Sequence, residues 1–492
     1  MLGAGRLGPR TQACAARHGG FIAVAVIALI LRAATSIAYD PAVFFPDSVG
    51  YIEGAFIGDP VGLGPARPSG YSLAIRILSE LGGSLAAVTV LHHVAGLVTG
   101  ALLYALIVHL GGGSLLATGA AAVGMLDAYA IALEQHVMAE SFFTVLVVVG
   151  LALVAFTPRS VIAVGASGIL LAVAATMRPT ALFATPVWLG YLLWRRVGWR
   201  PALAGVAGLL APLLLYGALH AAATSTFGLT QSNGWFLYGR VGVLADCRLL
   251  QPRAHERRLC NSRPDDFGQR PPYYIFNDHS PARRAFGWRG DERRLSHVDS
   301  VVGRFAARVI RERPVAYARL VTTDFLRFFQ PGLASFSGDD KTVTLPSPAL
   351  TPKVQPKRRD TVLGRPVERP RWPERLLRRY AALIHTPRWL MAFLAITSTA
   401  ALFAGLVSRG RHVPRRREIF LLAGSALAML LGSAATSDFT LRYLVPAVPL
   451  LVAGGAIAAR ELRLVDRPPG RSTRASAPDL RHGLAGAAAG RD

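Results

Sequence analysis

Asp47 and Arg67 are the first residues of the chain whose types and positions suggest chemistry. Both lie in a hydrophilic stretch, residues 40–83, that directly follows the first long apolar run. Charged groups this close to hydrocarbon are costly, so they are usually functional or paired. A carboxylate can accept a proton from a hydroxyl group, and a guanidinium can hold a phosphate through two parallel hydrogen bonds. We therefore predict that Asp47 is a catalytic base and that Arg67 binds a phosphate.

The composition places this stretch in a membrane protein. Hydrophobic residues make up 52% of the 492 positions and charged residues only 17%. The apolar residues fall in runs of about 20, the length that crosses ~30 Å of hydrocarbon. The sequence predicts an all-α polytopic protein of about ten transmembrane helices. These spans are expected near residues 21–39, 84–108, 114–133, 140–157, 160–177, 180–194, 201–221, 386–408, 418–436 and 443–460.

Between the apolar runs, the chain divides into five regions. The predicted regions are a cytoplasmic N-terminus (1–20), a core of about seven transmembrane helices (21–222), a long extracytoplasmic segment (223–384), about three further helices (385–460) and a disordered cytoplasmic tail (461–492). Short amphipathic helices suited to the membrane surface are expected from Tyr71 to Leu81 and after Pro314. We interpret the first run as an uncleaved signal anchor, with cleavage near Ala38 as the alternative.

Charge predicts how these helices are oriented. The net charge is +25, and the arginines at 159, 195–200 and 409–417 all fall on the side of the N-terminus, which the positive-inside rule assigns to the cytoplasm. The stretch with Asp47 then faces the other side of the plasma membrane. Anionic lipid is the expected counterpart of the basic loops, and no nucleic-acid partner is expected.

Cys247 and Cys260 lie 13 positions apart in the long hydrophilic segment. In an oxidising compartment they would form a disulfide, which by loop closure would contribute about 3 kcal/mol. A zinc site with His255 is the alternative, but the spacing matches no common pattern of zinc ligands. We favour the disulfide and predict no metal-ligand cluster.

Further ionisable residues lie at the outer ends of the predicted spans. They are Asp127, Glu134, His136, Glu140, Arg178 and Arg442. Carboxylates and arginines at one depth suggest an anionic, membrane-bound ligand. The sequence has no Walker loop, no Rossmann glycine fingerprint and no His-Glu-x-x-His motif. Because no cytoplasmic loop is long enough for a nucleotide-sugar domain, a sugar donor would have to be lipid-linked.

Four motifs, in order, resemble the GT-C glycosyltransferases, in the branch of the protein O-mannosyltransferases and the lipid A aminoarabinose transferase. Residues 46–51 (Pro-Asp-Ser-Val-Gly-Tyr) are similar to the family's Asp-Glu-x-x-Tyr element, and residues 67–71 (Arg-Pro-Ser-Gly-Tyr) to its basic-Pro-Pro-x-Tyr element. Glu140 heads a span where the family has an acidic residue, and residues 442–446 (Arg-Tyr-Leu-Val-Pro) resemble its Arg-Tyr-x-x-Pro element. Two departures are Ser48 and Ser69, which replace an acidic residue and a proline.

The resemblance implies a reaction and a set of roles. A sugar would pass, with inversion, from a polyprenyl-phosphate carrier to an extracytoplasmic hydroxyl group of a protein, lipid or polysaccharide. Asp47 would take the hydroxyl proton, without a second carboxylate beside it, and no cofactor is expected, although dependence on a divalent cation stays open. The donor phosphate would bind Arg67, Arg178 and Arg442, and the substrate would contact Tyr51, Tyr71, His136 and Glu140. The tyrosine, arginine and cysteines of residues 238–260 are similar to those of actinobacterial members.

Structural roles compete with these assignments. Asp47 could cap a short helix that starts near Ser48. Arg67 and Arg178 could be snorkelling anchors, and Arg442 could pair with Asp438. His136 and Glu140, four positions apart, could form a pair on one helix. Asp127 and Glu134 are expected to face a polar cavity.

Two other functions compete with glycosyl transfer. A transporter or flippase of lipid-linked sugar would have an internal repeat and helices broken at mid-membrane, and the sequence shows no convincing repeat. A non-catalytic scaffold of the cell envelope would instead depend on its external segment to bind a partner.

Overall fold

The computed structural model describes residues 9–56, 67–261, 271–287, 295–331, 363–365, 367, 369–407 and 413–465. Among these residues there is no β-strand, and the extended pairing is a single bridge between Val43 and His136. Together with several long apolar helices, this confirms the predicted class of all-α membrane protein. The first eight residues of the predicted N-terminus and most of the predicted tail, from residue 466, lie outside the described residues.

The first half of the described chain forms ten helices. They are α1 (Pro9–Ala38), α2 (Pro46–Phe56), α3 (Gly70–Glu80), α4 (Leu85–His109), α5 (Ser114–Met125), α6 (Ala128–Gln135), α7 (Glu140–Phe156), α8 (Val161–Met177), α9 (Thr185–Arg195) and α10 (Trp199–Thr224). A 3₁₀ helix, Pro179–Phe183, joins α8 to α9. The amphipathic helix expected at residues 71–81 is α3.

The second half of the described chain forms ten more. They are α11 (Asn233–Val241), α12 (Pro271–Phe276), α13 (Pro281–Phe286), α14 (Leu295–Glu312), α15 (Pro314–Arg327), α16 (Glu374–Leu383), α17 (Arg388–Val407), α18 (Arg416–Thr436), α19 (Leu441–Leu444) and α20 (Val448–Val465). Pro314 opens α15 as expected, because a proline in the first turn loses no intrahelical hydrogen bond.

In the described chain, five helical stretches are long and apolar enough to cross a membrane, and up to seven if each bent pair of helices counts as one span. The predicted count of about ten is not confirmed. Helices α7 and α8 have 17 residues each, or about 25 Å, somewhat less than the hydrocarbon thickness. The span expected at 180–194 is divided into the 3₁₀ helix and the 11-residue α9.

The span predicted at 114–133 is broken in the middle. Helices α5 and α6 meet at 46°. The break occurs because the Asp127 carboxylate accepts a hydrogen bond from the Ala130 backbone N–H at 2.8 Å and so caps a new helix. A second bend, of 45°, separates α16 from α17.

The helix ends that carry ionisable residues meet on one side of the bundle. The Thr89 hydroxyl, near the start of α4, bonds the Pro41 carbonyl just after α1 at 3.0 Å. Glu140 begins α7 beside Arg178, which ends α8. Because consecutive helices run in opposite directions, the loops after α4, α7 and α9 lie at the other end.

Residues between α10 and the last helices build a second buried core, separate from the core of the long helices. Trp235, Tyr238, Tyr274 and Phe305 are nearly or fully inaccessible to solvent and pack together. The predicted disulfide between Cys247 and Cys260 is confirmed, with their Cα atoms 5.6 Å apart. Since both thiols are used in this bond, a zinc site with His255 has no thiolate ligand.

Candidate functional site

Asp47 bridges two arginines that come from distant parts of the sequence. Its Oδ1 accepts a hydrogen bond from the Arg67 guanidinium at 2.8 Å, and its Oδ2 accepts one from Arg442 at 2.7 Å. Asp47 lies in the first turn of α2, Arg67 lies just before α3, and Arg442 lies in α19, 395 positions from Asp47. Both carboxylate oxygens of Asp47 therefore take part in ion pairs, and Arg442 is held by Asp47 in the structure.

The two arginines keep the Asp47 carboxylate ionised. Burial by itself would raise the pKa of Asp47, but the charges of Arg67 and Arg442 outweigh it and hold the pKa well below its ordinary value of 3.8. Conversely, burial would lower the pKa of Arg67, and the nearby Asp47 carboxylate raises it above the ordinary value. The group is a triad of fixed charges at neutral pH.

Glu140 and Arg178 form a second ion pair beside the first. Glu140 is the first residue of α7 and Arg178 follows the last residue of α8, so the antiparallel packing of these helices brings the two side chains together. Only 1% of the Glu140 side chain is exposed, and among the described residues its Oε2 has no hydrogen-bond partner. A buried carboxylate oxygen without a partner is costly, so it is a candidate for binding a ligand.

Tyr443 connects the two ion pairs. The guanidinium carbons of Arg178 and Arg442 lie 5.2 Å and 5.1 Å from the centre of its ring, and Arg442 also lies 5.0 Å from the centre of the Phe45 ring. Aromatic faces attract cations electrostatically. These rings were not among the predicted site residues, although Tyr443 is adjacent to Arg442 in the sequence.

The resulting cluster contains three arginines and two carboxylates, Asp47 and Glu140, so one positive charge is in excess. Arg442 and Arg178 have side chains 12% and 13% exposed, and Arg67 is 30% exposed. Partly accessible guanidiniums with an excess positive charge at a membrane surface are suited to a phosphate group. We call Asp47, Arg67, Glu140, Arg178 and Arg442 the charged cluster.

Tyr51 and Tyr71 lie behind the charged cluster. The Arg67 guanidinium carbon is 5.6 Å from the centre of the Tyr51 ring, which in turn packs edge-to-face on Tyr71 at 4.9 Å. Tyr71 is completely buried, and its hydroxyl lies 3.3 Å from Nε2 of His92. Tyr51 therefore touches the cluster directly, whereas Tyr71 supports Tyr51 from the interior.

His136 does not share a helix with Glu140, so the expected pair on one helix is wrong. Helix α6 ends at Gln135, and the chain turns before α7 begins at Glu140. The His136 ring is completely buried, and its Nδ1 lies 2.6 Å from the carbonyl oxygen of Ala132 in the preceding helix turn. Its place is consistent with a structural role in closing α6.

A buried ion-pair network lies deeper in the bundle. Glu134 accepts hydrogen bonds from Arg32 and from the His93 ring, both at 2.8 Å. Arg32 comes from α1, His93 from α4 and Glu134 from α6, so the network joins three helices. The Cβ of an alanine at Gly96 would lie 1.9 Å from Oε1 of Glu134. The glycine is therefore needed for α4 to approach this carboxylate. The sequence alone does not identify Glu134 as the residue that pairs with Arg32 and His93.

A narrow cavity of about 50 Å³ joins this network to the charged cluster. Its walls come from α4, α5, α6, α7 and the segment that starts α20, and Glu134 and Glu140 both line it. Asp127 lines it too, so Asp127 and Glu134 do face a cavity, but its wall is mostly apolar and not polar as predicted. Three carboxylates in a mostly apolar wall can bind hydroxyl groups.

Comparison with known protein families and with curated proteins finds no match to this chain. In the residues that the structure describes, no group of three or more His, Cys, Asp or Glu side chains is arranged to hold a metal ion. The charged cluster and the cavity beside it are therefore the features of the molecule that bear on function.

Proposed function

We propose that this protein is an integral-membrane glycosyltransferase of the GT-C type, which moves a sugar from a polyprenyl-phosphate carrier to an acceptor hydroxyl group. The observation that carries the proposal is the bridge from Asp47 to Arg67 and Arg442. This transfer needs two kinds of side chain, a general base and cations that bind the phosphate. The motif resemblance supports the same roles for Asp47, Arg67 and Arg442, because each of these residues lies in one of the four motifs.

In the proposed reaction, the charged cluster binds the donor phosphate. The guanidiniums of Arg67, Arg178 and Arg442 would stabilise the negative charge that grows on the phosphate as the sugar leaves. Because phosphate is already a good leaving group, no general acid is needed. Phosphate oxygens would compete with the Asp47 carboxylate for the same donors, so donor binding would free one of its oxygens.

Asp47 would act as the base. The acceptor oxygen attacks the anomeric carbon, the bond from that carbon to the phosphate oxygen breaks with its electron pair going to the phosphate, and the hydroxyl proton passes to Asp47. A carboxylate with a lowered pKa is a weak base. A weak base is sufficient if the acceptor hydroxyl loses its proton late, after the bond between the sugar and the phosphate has lengthened. The basicity of Asp47 also rises once the arginines bind the phosphate and no longer pair with the carboxylate.

The sugar would lie beside Glu140, with one of its hydroxyl groups directed into the narrow cavity. The unpartnered Oε2 of Glu140 could accept a hydrogen bond from a sugar hydroxyl, and Tyr51 could contact the substrate from the other side of Arg67. The buried positions of Tyr71 and His136 favour supporting roles over contact with substrate. The proposed site faces the extracytoplasmic side of the plasma membrane, and the donor reaches it from the lipid.

The test uses the full chain, purified and reconstituted in lipid nanodiscs, with a panel of radiolabelled polyprenyl-phosphate sugars. Release of polyprenyl phosphate and transfer of label to a mixed acceptor fraction are measured. We expect one sugar to be consumed at a rate that falls at least a hundredfold in Asp47→Asn. Glu53→Gln, which removes a carboxylate from the same helix, should retain the rate. Consumption of none of the donors, or an equal rate in Asp47→Asn, would contradict the proposal.

A second candidate function is transport of a lipid-linked sugar. The bends of 46° and 45° between helices favour it, since discontinuous helices often line transport sites. The broken pair α5–α6 also contributes Asp127 and Glu134 to the cavity. Vesicle transport of a polyprenyl-phosphate sugar that survives Asp47→Asn would support this candidate against the transferase.

A further inference from the structure

A second pocket lies at the opposite end of the helices that carry the charged cluster. It opens between the loop that joins α7 to α8, the end of α9 and the start of α18, and has a volume of about 450 Å³. Its lining residues are Thr157, Pro158, Arg159, Ser160, Arg195 and Arg417. We call it the basic pocket.

The basic pocket carries more positive charge than its neighbours neutralise. Arg195 pairs with the buried Glu418 at 3.1 Å. Arg159 and Arg417 make no ion pair with a carboxylate among the described residues, so two positive charges are in excess. Ser160, between them in the wall, caps α8 through its hydroxyl, which accepts from the Ala163 N–H at 3.2 Å. Two uncompensated guanidiniums around one concavity are suited to a phosphate group.

Exposed apolar side chains lie close in sequence to the residues that line the pocket. Ile162, at the start of α8, is 84% exposed, Leu193 of α9 is 77% exposed and Trp199 of α10 is 72% exposed. Exposed tryptophan and aliphatic residues are typical of the boundary between hydrocarbon and headgroups. The 17 residues of α7 separate this boundary from Glu140 by about 25 Å. A ligand here would therefore be independent of the charged cluster.

We propose that the basic pocket binds the phosphate of an anionic membrane lipid, with the acyl chains lying against the exposed side chains of α8 and α9. Phosphate chemistry is shared by lipid headgroups and soluble phosphates. The apolar surface beside the pocket favours the lipid, because a soluble phosphate would not use it. The positive-inside prediction assigns this lipid to the cytoplasmic leaflet, where anionic lipids attract basic loops.

The test compares lipid retention by two double variants of the full chain in nanodiscs. Arg159→Gln/Arg417→Gln removes the two excess charges of the pocket. Arg196→Gln/Arg200→Gln removes two arginines that do not line the pocket but follow α9 on the same side, so it controls for general electrostatic attraction. Phosphatidylglycerol is titrated into phosphatidylcholine nanodiscs, bound lipid is counted by native mass spectrometry, and thermal unfolding is recorded in parallel.

We expect phosphatidylglycerol to be retained by the wild type and by the control, and to bind about tenfold more weakly to the pocket variant. The unfolding temperature of the pocket variant should also stop responding to phosphatidylglycerol. The proposed site would be overturned if both double variants lost phosphatidylglycerol to the same extent, or if neither of them lost it. The assignment to a lipid would be overturned if glycerol phosphate, added to the wild type in phosphatidylcholine nanodiscs, raised the unfolding temperature as much as phosphatidylglycerol does.

Discussion

Replacing Asp47 with asparagine isolates the role of one carboxylate, because asparagine keeps the shape of the side chain and removes the charge. Each ion pair that it breaks is a charge-assisted hydrogen bond, at 2.8 Å to Arg67 and 2.7 Å to Arg442, and is expected to contribute about 1.5–3 kcal/mol. Arg67 is 30% exposed, so water screens part of its loss. We expect the folded state to lose about 2–4 kcal/mol in total.

The pH dependence of this difference follows from the lowered pKa of Asp47. A carboxyl group whose folded pKa lies below its ordinary value of 3.8 stabilises the fold above that value. The contribution is then lost as the pH falls through the lower pKa of the folded state. The gap in unfolding free energy between wild type and Asp47→Asn should therefore be constant from about pH 5 to 8 and shrink below about pH 4.

The measurement is denaturant unfolding in nanodiscs or detergent, followed from pH 3 to 8, together with the rate of sugar transfer. Glu53→Gln in the same helix serves as the control. A transfer rate reduced at least a hundredfold while the protein stays folded at pH 7 supports the role of a base. The reasoning is refuted if the rate is unchanged, or if the stability gap between wild type and Asp47→Asn grows towards acid pH.

Three further substitutions test the surroundings of the site. Arg442→Lys keeps the charge but loses the planar donor fork, so transfer should fall at least tenfold with little change in unfolding temperature; an unchanged rate would remove Arg442 from the phosphate site. Gly70→Ala would place Cβ 2.3 Å from the Thr176 hydroxyl and 2.8 Å from the Thr176 backbone. The unfolding free energy should therefore fall by about 1–3 kcal/mol. An unfolding curve identical to that of the wild type would contradict this packing. Cys260→Ser, which releases Cys247, should lower the unfolding free energy of the second buried core by about 3 kcal/mol, measured by unfolding with and without reductant. If reductant still destabilised the variant as it does the wild type, this expectation would be contradicted.

The membrane depth of the site residues could be predicted from the sequence, but their contacts could not. Asp47 and Arg442 each lie next to an apolar run, and Arg67 lies in the hydrophilic stretch between the first two runs, so the predicted topology assigns all three to one membrane surface. A shared depth does not fix the distance between side chains, so their hydrogen bonds are known only from the structure. Tyr443 and Phe45 could not be found this way, because their contacts with the arginines depend on how each helix is rotated about its axis.

The deeper network shows the same limit. Arg32 interrupts an apolar run, and only the three-dimensional packing identifies Glu134 as the partner of both Arg32 and His93. The bend after α5 escaped the sequence analysis because apolar residues continue on both sides of Asp127, and a single capping carboxylate within such a run gives a weak signal. Helix ends, and therefore the number of spans, were the least predictable feature.

Binding of the carrier itself tests the central claim, that the guanidiniums around Asp47 hold a lipid-linked phosphate. The affinity for labelled polyprenyl phosphate is measured on three proteins in phosphatidylcholine nanodiscs, the wild type, Arg67→Gln and Arg76→Gln. Arg76→Gln is the control, because Arg76 lies on α3 and pairs with Glu80, not with Asp47. We predict saturable binding by the wild type and Arg76→Gln, and at least tenfold weaker binding by Arg67→Gln. Equal affinity in all three proteins, or no saturable binding by any of them, would contradict the account.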